Sequence, residues 1–95
     1  MEPPLHIMER ACDAMELASE VAASGNPSVA SDAGCAALLG EAAVRSAGLN
    51  VLANAVLLRD QAAADQAREQ LASYEERAAA LRERTLAAVH ARMGG

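Results

Sequence analysis

Apolar positions recur along this chain every three to four residues, and no alternating run long enough for a strand interrupts them. Pro3 and Pro4 suit a first helical turn, where their missing N–H would be unsatisfied anyway. Leu5, Met8, Cys12 and Met15 then fall on one face, continued by Ser19 and Ala22, while Glu9, Arg10, Asp13, Glu16 and Glu20 take the other. This pattern predicts an amphipathic helix ending near Ser24. Gly25 suits a left-handed residue at its C-terminus, and Asn26-Pro27 resists further helix. A short loop from Gly25 to about Ala30 leads to Ser31-Asp32, which reads as an N-cap and a first-turn acid.

From there to about Leu58 the chain is apolar almost all round, as Cys35, Leu38, Leu39, Val44, Leu49, Val51, Leu52, Val56 and Leu57 show. Such a helix is expected to be buried on most sides, in the middle of an assembly. Gly34, Gly40 and Gly48 each cost it about 0.8–1 kcal/mol against alanine, a cost tolerated where another backbone comes close. Arg59-Asp60 marks a break, with Asp60 as the next cap. Gln61 to about Met93 then reads as one long helix, with Ala67, Leu71, Tyr74, Ala78, Leu81, Thr85 and Ala88 at heptad spacing. At about 1.5 Å per residue it reaches roughly 50 Å, longer than a globule of this size is wide. Its alanine seam favours close antiparallel packing over a leucine-zipper pairing. The fold class is therefore all-α: three helices with a long antiparallel helical hairpin, one domain over residues 1–95, in an oligomer.

Composition strengthens the need for neighbours. Alanine fills 25 of 95 positions, Phe and Trp are absent, and Tyr74 is the single aromatic residue. Each buried methyl contributes only about 0.8 kcal/mol, too little for a comfortably independent monomer. The net charge of −5, with 13 acids against eight arginines, argues against nucleic acid as a partner. Met-Glu-Pro-Pro has neither the basic nor the apolar region of a signal peptide. The apolar run Ala47–Leu58 falls short of the roughly 20 residues a membrane span needs. These features point to a cytoplasmic chain without a membrane partner. Cys12 and Cys35 both lie in apolar pattern and read as small buried thiols, and His6 and His90 lack a second ligand at metal spacing.

No phosphate loop, nucleophile elbow or Cys-x-x-Cys pair is present. Two features remain. The turn Gly25–Gly34 places a helix N-terminus, with free N–H groups, beside Asp32; it is either an anion-facing site or simply a capped loop. Asn50 and Asn54, four residues apart, follow Ser46 by one and two turns, and buried amides there would either pin a neighbouring helix or line a pocket. Asp32 points the same way as Asn50, but 18 residues of helix separate them by roughly 27 Å. Glu41 and Arg45 form an i,i+4 pair, and Arg59 stands at a helix junction, where it meets an anion or closes the preceding helix.

Gly25-Asn26-Pro27, then Ser31-Asp32-Ala33-Gly34 and Ala36-Ala37-Leu38-Leu39, resembles the signature of the cyclodeaminase/cyclohydrolase family. Leu49-Asn50-Val51, Asn54 and Leu58-Arg59-Asp60 are similar to a second block of that family, and Pro4-Leu5 fits its preceding helix. The resemblance covers the C-terminal half of the family domain. Two departures stand out: Leu52 occupies a position where the family carries a base, and family domains run to roughly twice this length, opening with a Gly/Ala-rich helical region. The resemblance implies an all-helical dimerising fold acting on a tetrahydrofolate derivative, by release of ammonia from a formimino group or by hydration of a methenyl group. It implies no metal and no resident cofactor. Asp32 is the candidate catalytic residue, with Asn26, Ser31, Asn50, Asn54 and Arg59 as substrate-binding candidates. The expected partners are a second copy in a homodimer or a complementary N-terminal chain. The alternative is a non-catalytic helical oligomerisation module.

Overall fold

The structure is a computed structural model that describes residues 2–94. Three α-helices, α1 (Glu2–Ser24), α2 (Pro27–Val56) and α3 (Gln61–Met93), run up, down and up in a bundle of 52 × 16 × 15 Å. The long hairpin expected from the alanine seam is present, and α1 completes a three-helix bundle against it.

Local chemistry sets the helix ends. α1 enters through Pro3 and Pro4 and stops at Ser24, as the pattern predicts. The next connection is much shorter than the expected loop: only Gly25 and Asn26 lie outside helix. Asn26, not Ser31, is the N-cap, and its Oδ1 accepts the Val29 N–H at 2.9 Å. Pro27 supplies the first helical residue, where its ring is already set for helix and its missing N–H costs nothing. Gly25 is not left-handed, because the turn closes by proximity: a Cβ there would lie 2.9 Å from the Val21 carbonyl oxygen. Asp60 caps α3 as expected, accepting from Ala62 and Ala63 N–H. Gly94, at φ 77°, closes α3 in the left-handed region and donates its N–H to the His90 carbonyl.

Packing divides the bundle lengthwise. At the end holding the α1 N-terminus, Met8, Cys12 and Met15 meet Val44, Val51, Leu71 and Leu81. At the other end the core is almost all alanine: Ala18, Ala22, Ala30 and Ala33 around Val89. Glycine makes room at two points, in each case for a neighbouring side chain and not for the close backbone that was expected. A Cβ on Gly40 would sit 2.5 Å from Met15 Cγ, and one on Gly34 would sit 3.2 Å from Val89 Cγ2.

The expectation that α2 is buried on most sides is not met within this chain. Only the face carrying Ala33, Ala37, Val44, Ala47, Val51 and Ala55 is buried; Leu38, Leu39, Leu49, Val56 and Leu57 are exposed, Leu39 by 72% and Leu49 by 68%. The periodic pattern could not separate a helix buried by its own chain from one awaiting a neighbour, since both are apolar all round. Cys35 is likewise exposed, against the reading of two buried thiols, whereas Cys12 is fully buried. As one continuous helix, α2 is also longer and more apolar than the run Ala47–Leu58 suggests: by length and composition alone it is sufficient to cross a membrane.

Candidate functional site

The six candidate residues lie on α2 and its flanks. Asn26 is committed to capping. Ser31 is half-buried and Asp32 exposed, and both lie inside α2; Asp32 is past the first turn, so the anticipated acid beside free N–H groups is replaced by a carboxylate on the outward face. Asn50 and Asn54 are exposed, as is Ser46, so none of them is the buried amide or hydroxyl that the sequence suggests. Arg59 is exposed in the 57–60 connection. The set therefore splits into two groups at opposite ends of one helix, Asn26, Ser31 and Asp32 against Asn50, Asn54 and Arg59. The rise of a helix keeps Asp32 and Asn50 roughly 27 Å apart within the chain.

The concave regions lie elsewhere. A groove of about 290 Å³ between α1 and α3 is lined by Leu5, His6, Glu9, Gln70 and Tyr74, and a second, of about 400 Å³, by Ala23, Ala88, Ala91 and Arg92. Neither includes a candidate residue. In the first, the Tyr74 hydroxyl donates to Glu9 Oε2 at 3.3 Å, and Arg10 Nε donates to His6 Nε2 at 3.0 Å. Burial, then the adjacent Glu9 carboxylate, pushes the Tyr74 phenol up from its ordinary value. Tyr74 also packs against the core. The one aromatic ring therefore serves the α1–α3 side, and a pterin held at Asp32 or Asn50 would not stack on it within the same chain. Among the described residues no group of three or more His, Cys, Asp or Glu side chains is placed to hold a metal ion.

Charge is organised across the helices. On α3, Arg77 reaches Asp13 and Glu16 of α1 at 3.3 and 3.4 Å, and Arg84 donates to Ser19 Oγ at 2.8 Å and to Glu16 Oε1 at 3.1 Å. Arg92 donates to the Ala23 carbonyl near the far end. The Glu41–Arg45 pair foreseen from spacing is present at 3.8 Å, and Arg82 of α3 joins it, its Nε 3.1 Å from Glu41 Oε1. The cross-helix partners were not readable from the sequence, because i,i+4 spacing reports only neighbours on one helix. A weak signal was available: the arginines at 77 and 84 are one heptad apart, beside the seam position Ala78.

Comparison with known proteins places this geometry in context. The formiminotransferase-cyclodeaminase family matches residues 1–73, which take in α1, α2, the following connection and the first part of α3. A methenyltetrahydrofolate cyclohydrolase from Methylorubrum extorquens is 45% identical over 76 residues, covering 79% of this chain and 36% of that relative. The chain thus spans about a third of the length of the curated relative it matches. No solved structure matches it.

Proposed function

Because the chain belongs to the formiminotransferase-cyclodeaminase family, we propose that it is part of a cytoplasmic enzyme of folate one-carbon metabolism, acting on a tetrahydrofolate derivative as a cyclohydrolase or a cyclodeaminase. The observation that carries this reading is the 45% identity to a methenyltetrahydrofolate cyclohydrolase. The family match spans every one of the six candidate positions.

The chemistry asks little of a protein. In the hydrolytic direction, water adds to the cationic methenyl carbon, one ring C–N bond breaks, and a formyl group and a proton remain. In the deaminating direction, a substrate nitrogen attacks the formimino carbon and ammonia leaves. Both need a carboxylate or similar group that takes and returns a proton, together with donors that hold the pterin and its anionic tail. Asp32, an exposed carboxylate on α2, fits the proton-transfer role. Asn50 and Asn54 offer amide donors and acceptors one helical turn apart, and Arg59 offers a cation for the anionic tail. Ser31 directly precedes Asp32, and Asn26 caps the helix that carries both. No resident metal or organic cofactor enters these steps.

The exposed apolar face of α2 supports a second reading, a helical association module without catalysis. One experiment separates the two. Loss of methenyl-tetrahydrofolate absorbance is followed with the chain alone, and again after mixing with the unmatched portion of the Methylorubrum extorquens cyclohydrolase. Folate binding with turnover in either mixture is the expected result, and Asp32→Asn should then lower the rate about 100-fold, as for loss of a general acid–base group. Absence of both turnover and folate binding in both mixtures would leave the association module.

A further inference from the structure

The acidic line of α1 that meets α3 is satisfied unevenly. Asp13 and Glu16 each lie within 3.4 Å of an α3 arginine, Arg77 or Arg84. Glu9, one turn earlier, has no arginine partner among the described residues, and Arg10 beside it is turned to His6 instead. What Glu9 does have is the Tyr74 hydroxyl, which donates to its Oε2 at 3.3 Å. This carboxylate stands in the wall of the groove of about 290 Å³, together with Leu5, His6, Gln70 and Tyr74. We propose that the groove recognises the edge of a 2-amino-4-oxopyrimidine, as a pterin presents it, through Glu9 and Gln70, at a place separate from the candidate residues of α2.

The donor and acceptor pattern carries the assignment. The edge in question reads donor, donor, acceptor: the 2-amino group, the ring N3–H and the 4-oxo oxygen. A carboxylate accepts two parallel donors bidentately, and the amide N–H of Gln70 supplies the donor that the oxygen needs. Each carboxylate oxygen has two acceptor positions, so Oε2 can take the Tyr74 hydroxyl and a ligand N–H together. The phenol holds the carboxylate in place. It stays a donor at neutral pH, because burial and then the Glu9 charge push its pKa up. Leu5 and the Tyr74 ring give the groove apolar wall for a flat ring. The volume lies at the low end of ligand clefts, which begin at roughly 300 Å³, and suits a fused two-ring system, not a whole folate.

The position of the groove adds to the picture. It lies at the end of the bundle where α1 begins and where Met8 packs beside Gly48, so it shares that end with Asn50 and Asn54 and stands apart from Asp32. The second groove offers no comparable chemistry. Three of its four lining residues are alanine, and its Arg92 already donates to the Ala23 carbonyl. Guanine presents the same edge as a pterin, and the choice of pterin rests on the folate reading.

The test uses the full chain, isotope-labelled, alone and mixed with the unmatched portion of the relative. Tyr74, His6 and His90 are its only ring-bearing aromatic and imidazole side chains, so NMR reads binding residue by residue. Titration with 6-hydroxymethylpterin should move the Tyr74 and His6 signals together and leave His90, in the last turn of α3, unmoved. Lumazine, which has an oxo group in place of the 2-amino group, should bind about 10-fold more weakly, as for loss of one hydrogen bond to a charged group. Glu9→Gln and Gln70→Glu should each weaken pterin binding by a similar factor with unchanged helicity, and Glu20→Gln, outside the groove, should not. No movement of Tyr74 and His6 with the pterin, lumazine binding as tight as the pterin, indifference to Glu9→Gln, or guanosine binding as tight or tighter would each overturn the proposal. Turnover of methenyl-tetrahydrofolate with the Tyr74 and His6 signals unmoved would overturn it too, while leaving the folate reading in place. Pterin binding that depends on Glu9, without folate turnover in either mixture, would support the groove and remove the folate reading.

Discussion

At the scale of single residues, burial decides what the chemistry can do. Cys12 is sealed between α1 and α3, its thiol reaching the Tyr74 carbonyl at 3.6 Å, and burial pushes its pKa up, with Asp13 and Glu16 adding to the rise and Arg77 opposing it. An acid whose pKa is higher folded than unfolded favours the fold while it stays protonated. Its contribution is therefore complete below the unfolded thiol's value, near 9.0, and is lost as pH rises through the folded value. Tyr74 acts in the same direction from about 10.0 upward. Thermal melts should thus fall steadily above about pH 9, and Cys12→Ala should flatten the first part of that decline. Gly40 is the complementary case, where absence of a side chain is what matters. Gly40→Ala gains about 0.8–1 kcal/mol of helix propensity, but its Cβ would press on the fully buried Met15. Overpacking of that kind costs about 1–3 kcal/mol, so the variant should melt at a lower temperature.

At the scale of helices, each element is bounded by one or two side chains and tied to its neighbours by charges that cross the bundle. Asp60 satisfies two N–H groups at the start of α3. Asp60→Ala should cost about 1 kcal/mol, read as a shift of the urea midpoint with unchanged slope. The arginines of α3 contribute differently. Arg77 and Arg84 are partly exposed, so their pairs with Asp13 and Glu16 add modestly to stability and chiefly fix the register of α3 against α1. Glu41, with its side chain only 15% exposed between Arg45 and Arg82, does the same for α2 against α3.

At the scale of the molecule, the bundle has two unlike sides. α3 turns charged residues outward, while α2 and the flank of α1 turn out leucine, valine, isoleucine and alanine. Contiguous apolar faces of that kind mark interaction surfaces more often than bare solvent-facing ones. If a second copy covers it, stability depends on concentration, because anything that binds only the folded chain stabilises it by mass action. The melting temperature of the wild type should accordingly rise with protein concentration, and that of Leu49→Glu should not.

The sequence by itself determined the three helices, the cap at Asp60 and the family of the chain. These rest on spacing, capping chemistry and ordered motifs, all of which are local and survive in a one-dimensional reading. It could not say which face of an all-apolar helix its own chain covers. Val44 and Leu49 look alike in the pattern, yet one is fully buried and the other 68% exposed. Nor could it place Asn50 and Asn54, because an amide within an apolar run is as compatible with a buried network as with an outward face. Only the packing of α1 and α3 onto one side of α2 decided that, and Asp32, Asn50 and Asn54 came out on the side left uncovered. Burial is a property of three-dimensional neighbours, which a one-dimensional pattern does not name.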